Sequence, residues 1–161
     1  MTLNSKKYIV SLAMGIITVA AYIIYVCLDN APVMEDVTAW AKLMIVFIGI
    51  GVAAQIVIHI LFNIVFSISV AVKENDDNGE KTKKIIRAST IEDERDKIIN
   101  LKTLRVGYSC AGAGLLAALI ALACGVAFTA ALHIIVGAAA AASFVEGCAG
   151  IFFYERGVRN G

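Results

Sequence analysis

The sequence predicts an all-α protein: a four-transmembrane-helix bundle with a cytoplasmic helical extension of the third span. Three observations predict it. Of 161 residues, 60% are hydrophobic and one is proline, and the mean hydropathy is +0.82, far above a soluble average. Apolar runs at 8–28, 43–72, 106–128 and 131–153 are each long enough for a bilayer, which needs about 20 residues. The Lys and Arg residues fall almost entirely between and beside these runs, not in them.

The chain opens on a polar head carrying Lys6 and Lys7. The run 8–28 is longer than the apolar core of a signal peptide, so it is read as a retained first helix. Tyr8 at one end and Tyr22 and Tyr25 near the other suit anchoring at the two interfaces. Residues 29–42 are read as a loop with the one proline, Pro32, and with Asp29, Glu35 and Asp36 against Lys42. Trp40 stands where an aromatic-belt residue would. The run 43–72 has no formal charge. At ~1.5 Å per residue it is ~45 Å long, so it must tilt in a ~30 Å core or project from it.

Residues 73–105 are expected to form a cytoplasmic loop and charged helix. The breaker cluster at Asn75, Asp76, Asp77, Asn78 and Gly79 predicts a mobile lead-in up to Ser89. Thr90 then fits an N-cap, with Asp93 where a capping box places an acid. Glu92, Asp93, Glu94 and Asp96 crowd the first turns, where the helix dipole favours anions; Lys97, Lys102 and Arg105 follow. Asp93 and Lys97 stand four apart with the acid first, the better order for a pair. Ile91, Ile98, Leu101, Leu104 and Tyr108 recur near helical spacing. One helix is therefore expected from Thr90 to about Phe128. A tight turn near Thr129 would make the third and fourth spans antiparallel neighbours. A basic tail with Arg156 and Arg159 ends the chain.

The string EDERDKIINLKTLR resembles the signature of an uncharacterised family of small prokaryotic four-helix membrane proteins. The matching positions are Asp93, Glu94, Arg95, Ile98 and Lys102; Thr103 stands where the family tends to have Ala. The resemblance covers roughly a tenth of the chain plus the layout of the spans, and it implies no known activity.

Positive charge sets the orientation. The head, the 73–105 segment and the tail hold all of the 14 Lys and Arg except Lys42. That asymmetry predicts a multi-pass protein of the cell (inner) membrane with both termini cytoplasmic. The net charge of +1 offers no basic surface for nucleic acid. Cys27, Cys110, Cys124 and Cys148 are widely separated and read as buried free thiols, with a Cys27–Cys124 bridge as the alternative. No HExxH, GxSxG, P-loop or dinucleotide fingerprint occurs, so the chain is not expected to be an enzyme. No metal and no cofactor are expected either. The clustered acids do not share one face, and His59 and His133 fall at different depths.

Two features bear on function. Small residues stand four apart at Ser109, Ala113, Ala117, Ala121 and Gly125, and again over 138–142 with Gly147 and Gly150. In lipid such stripes let helices approach closely, within the chain or, alternatively, in a homodimer. The second feature is an intramembrane polar set. Gln55, His59 and Asn63 follow one another at four-residue spacing, Ser67 continues the row, and Glu146 falls at the depth of His59. A contact between the second and fourth helices would let Glu146 hydrogen-bond to this stripe.

Two functions follow. The first is a non-enzymatic regulatory or scaffolding membrane protein whose charged helix binds a cytosolic partner through Asp93, Glu94, Arg95 and Lys102. The alternative is a small transporter or ligand-binding protein that uses Gln55, His59, Asn63 and Glu146.

Overall fold

The structure, a computed structural model, describes residues 3–74 and 94–156. Among the described residues there are four α-helices and no strand. They are α1 (Leu3–Tyr25), α2 (Val37–Glu74), α3 (Glu94–Ala123) and α4 (Phe128–Arg156). All four are long and apolar enough to cross a bilayer, which marks a multi-pass membrane protein. Asp93, the Thr90 cap and the lead-in expected over 75–89 lie outside the described residues.

Each helix end has a local cause. α1 loosens into one wider π turn, Val26–Asn30. The Asn30 amide closes it by donating to the carbonyls of Tyr25 (3.3 Å) and Leu28 (3.1 Å). α2 starts earlier than the apolar run suggests. The Asp36 carboxylate accepts from the Ala39 N–H at 2.9 Å, an N-cap bond. The expected 29–42 loop therefore ends at Asp36, and Trp40 and Lys42 are helical. α3 ends in a Schellman motif. Gly125 takes φ +81, its N–H bonds the Leu122 carbonyl, and the Val126 N–H bonds that of Ala121, both at 3.0 Å. Phe128 thus opens α4 instead of closing α3, and the reversal lies four residues ahead of the position expected at Thr129.

α1 and α4 form the inner pair of the bundle. α3 lies along α4, and α2 lies along α1; among the described residues α2 and α3 share no extended packing. Glycines allow the close approaches. A Cβ on Gly114 would fall on the Cβ of Ala138, a Cβ on Gly147 would come within 2.8 Å of Leu12, and one on Gly150 within 2.7 Å of the Tyr8 ring. Small residues on α4 therefore serve both of its neighbours. On α3 the packing face differs from the expected stripe. Thr103, Gly107 and Ala118 are buried, whereas Ser109, Ala113, Ala117 and Gly125 are exposed. Both rows obey helical spacing, and lipid offers apolar side chains no less favourable a surrounding than protein does, so spacing alone does not select the inward row.

Two aromatic layers mark the depth of the slab. At one end Tyr8 and Tyr154 meet at 5.9 Å between ring centroids. At the other, Trp40 stands edge-on to His133 at 4.6 Å, and Tyr22 and Tyr25 flank Phe47 at 5.3 and 5.5 Å. His133 and Tyr154 are 21 residues apart on α4. At the usual rise that is ~32 Å, close to the ~30 Å of a hydrocarbon core. Between the layers the surface is apolar: Ile16, Ile17, Val46, Ile56, Leu116 and Ile120 are each half exposed or more. The buried core is correspondingly thin. The Ser5 hydroxyl donates to Glu155 at 3.3 Å, so the start of α1 and the end of α4 share one end of the bundle.

Candidate functional site

The charged end of α3 is held rigidly on one face and open on the other. Ile99 and Thr103 have no exposed surface. Thr103 returns its hydroxyl to the Ile99 carbonyl at 2.8 Å and leaves no orphan donor. One turn away the Tyr8 hydroxyl donates to Asn100 Oδ1 at 3.0 Å, which ties α3 to α1 across the bundle. Sequence reasoning did not find this bond. Its one signal is polar residues at two span entrances, and nothing in the spacing pairs them. With the inner face fixed, Glu94, Arg95, Lys97 and Lys102 are exposed, and Asp96 is half-buried. Three of the four partner-binding candidates thus lie on an open face; Asp93 is outside the described residues.

The structure does not bring the intramembrane polar set together. Gln55 points to α1, where its Nε2 donates to the Ser11 carbonyl at 3.0 Å and to Ser11 Oγ at 2.9 Å. Glu146 faces the other flank: its Oε2 lies 2.8 Å from where a Gly107 Cβ would stand, so the carboxylate packs on α3 and not on α2. Gly107 is what makes room for it. His59 is half-buried and Asn63 exposed, and among the described residues neither side chain has a hydrogen bond. Ser67 and Ser69 return their hydroxyls to their own helix, to the carbonyls of Asn63 and Val65. The expected His59–Glu146 contact is not formed: Gln55 of the same stripe faces Ser11 of α1, and Glu146 faces Gly107 of α3. Glu146 is eight residues before Tyr154, ~12 Å inside the Tyr8–Tyr154 layer.

Gln55 itself is only half satisfied, because its Oε1 is buried with no partner among the described residues. An orphaned acceptor costs ~1–3 kcal/mol and a typical hydrogen bond returns ~0.5–1.5. The terms nearly cancel. Gln55→Met, of similar volume, is expected to leave thermal stability in detergent within about 1 kcal/mol of the parent. A loss of several kcal/mol on thermal melting would show that the Ser11 bonds dominate.

A second cluster, at the opposite end, also escaped sequence reasoning. Thr129 donates to the Met34 carbonyl at 2.9 Å, tying the start of α4 to the loop before α2. His133 Nδ1 lies 2.8 Å from the Thr129 carbonyl, which can only accept, so Nδ1 carries the proton. The other nitrogen then accepts from the Tyr22 hydroxyl at 3.4 Å. Trp40 closes the cluster at 4% exposure, and its Nε1 has no acceptor among the described residues. His133 sits at the depth of Trp40, half-buried and turned into the protein.

All four cysteines are free, so Cys27 and Cys124 are not bridged; the thiols are not buried as expected, since Cys27, Cys124 and Cys148 are exposed and Cys110 is half-buried. Among the described residues no three His, Cys, Asp or Glu side chains converge as metal ligands. Comparison with protein-family models, curated proteins and solved structures found no match.

Proposed function

We propose that this is a regulatory or scaffolding protein of the cell membrane, not an enzyme, which presents the start of α3 to a cytosolic partner. The observation that carries the reading is the two-sidedness of that helix end. Ile99, Thr103 and the Tyr8–Asn100 bond fix its inner face, while Glu94, Arg95, Lys97 and Lys102 face outward. A helix continuous with a span holds its charges in one orientation, so little ordering entropy is lost when a partner docks. Exposed charges of both signs suit steering and specificity more than raw affinity.

The orientation belongs to the same proposal: both termini and the start of α3 are cytoplasmic, and the loop around Glu35 lies outside. It rests on the positive-charge asymmetry. On a background without the native cysteines, Glu35→Cys should react with an impermeant maleimide on intact cells, and Lys97→Cys only after permeabilisation. The reverse pattern overturns the orientation. For the partner, a photo-crosslinking residue at Lys97 should trap one discrete protein adduct in cells, and the double change of Glu94 and Arg95 to Ala should remove it. Adducts to lipid alone, or a protein adduct indifferent to the double change, would refute the docking role.

A further inference from the structure

We propose that the outer flank of α3 holds one anionic phospholipid, its phosphate on the Arg105 guanidinium. A shallow groove of about 500 Å³ runs there, lined by Leu101, Leu104, Arg105, Tyr108 and Ser109. Spacings of three and four put these residues on one face, and all five are exposed. The groove lies beyond the Glu94–Lys97 region offered to a soluble partner, and Lys102 stands between that region and Arg105.

The argument rests on depth, charge and direction. Arg105 is five residues past Asn100, the residue that meets Tyr8 in the inner aromatic layer. That places its Cα ~7 Å inside the layer, among the acyl chains but within reach of the headgroups for a side chain as long as arginine. Among the described residues no carboxylate pairs with Arg105, nor with Lys102 one turn before it. Asp96 is nine residues away on α3, and Glu146 lies against Gly107 on the buried face. A guanidinium at this depth is expensive without a counter-charge. Lipid phosphate is the anion that the surroundings supply.

Helix direction brings the two groups together. Side chains lean toward a helix N-terminus, and the N-terminus of α3 is the charged end. Arg105 and Lys102 therefore reach toward the headgroups, while Leu104 and the Tyr108 ring, 71% exposed, remain as an apolar wall for a chain. Ser109 spends its hydroxyl on the Arg105 carbonyl at 2.9 Å and does not compete for the phosphate. A zwitterionic headgroup carries its own cation and gains less from Arg105. The choice is thus for net negative charge.

The test is native mass spectrometry of the purified full chain from nanodiscs of equimolar phosphatidylcholine and phosphatidylglycerol. The wild type should retain one phosphatidylglycerol in preference to phosphatidylcholine by about five-fold, the factor expected from one cation near the surface. Arg105→Gln should abolish the preference, Arg105→Lys should keep most of it, and Arg156→Gln, a change at the same end on α4, should leave it intact. Equal retention of the two lipids in the wild type overturns the proposal. So does a preference lost equally in Arg156→Gln, which would mean a diffuse basic end. Displacement of the lipid by millimolar inorganic phosphate would reassign the groove to a free anion and also overturn it.

Discussion

Gly114→Leu should be among the most damaging single substitutions in this chain, with a loss of about 3 kcal/mol in thermal or denaturant unfolding in detergent. The cause is the seam between α3 and α4. A Cβ on Gly114 falls on Ala138 Cβ and lies 3.4 Å from Ala138 Cα, so the obstacle is near-backbone and cannot rotate away. Any larger side chain must part the helices over several turns and forfeit contacts at Gly107 and Ala118 as well. Gly112 supplies the control from the same stretch. Nothing lies within 4 Å of a Cβ built there, and the residue is exposed. Gly112→Leu should therefore stay within about 0.5 kcal/mol of the parent, and its better helix propensity works in its favour. Equal losses for the two variants would mean that α3 is rotated from the orientation described above.

Tyr8 carries the second large effect. Its ring covers Gly150, meets Tyr154, and sends its hydroxyl to Asn100. One side chain on α1 thus touches α4 and α3 together. Tyr8→Ala should cost about 3 kcal/mol from lost ring packing. Tyr8→Phe keeps the ring and loses one hydrogen bond, so about 1 kcal/mol is expected. Unfolding of both variants in one detergent separates the terms. If Phe were as costly as Ala, the bond to Asn100 and not the ring would hold the inner end together.

Membership in the all-helical membrane class was legible because it depends on the length and polarity of whole segments, which lipid reads as strictly as a sequence does. Helix ends were legible in principle where a side chain or a glycine sets them. Asp36 before Val37 and Gly125 after Cys124 each carried a local signal, and the apolar runs overshadowed both. Facing was the illegible part. The rows Thr103–Gly107–Gly114–Ala118 and Ser109–Ala113–Ala117 are nearly equivalent in composition, yet only the first is turned inward. Neighbour choice was equally hidden. Gln55 and Glu146 each found a close fit, one on Ser11 and the other on Gly107, against different helices. The depth match read between His59 and Glu146 said nothing about which helix each side chain would face.

The central position of α4 has a consequence for how the molecule is built. Of the four helices it is the last to be synthesised, yet it packs extensively on α3 and α1 and touches α2. α1 and α2 can pair early through the Gln55–Ser11 bonds, which join residues 44 apart in the chain. The Ser5–Glu155 bond joins residues 150 apart and must wait for the final span. Until then Gly107 and Gly114 of α3 face lipid where they will later face protein. A ribosome stalled before Phe128 would leave in the membrane an α1–α2 pair and an α3 without its main packing partner, tied to the pair through the Tyr8–Asn100 bond.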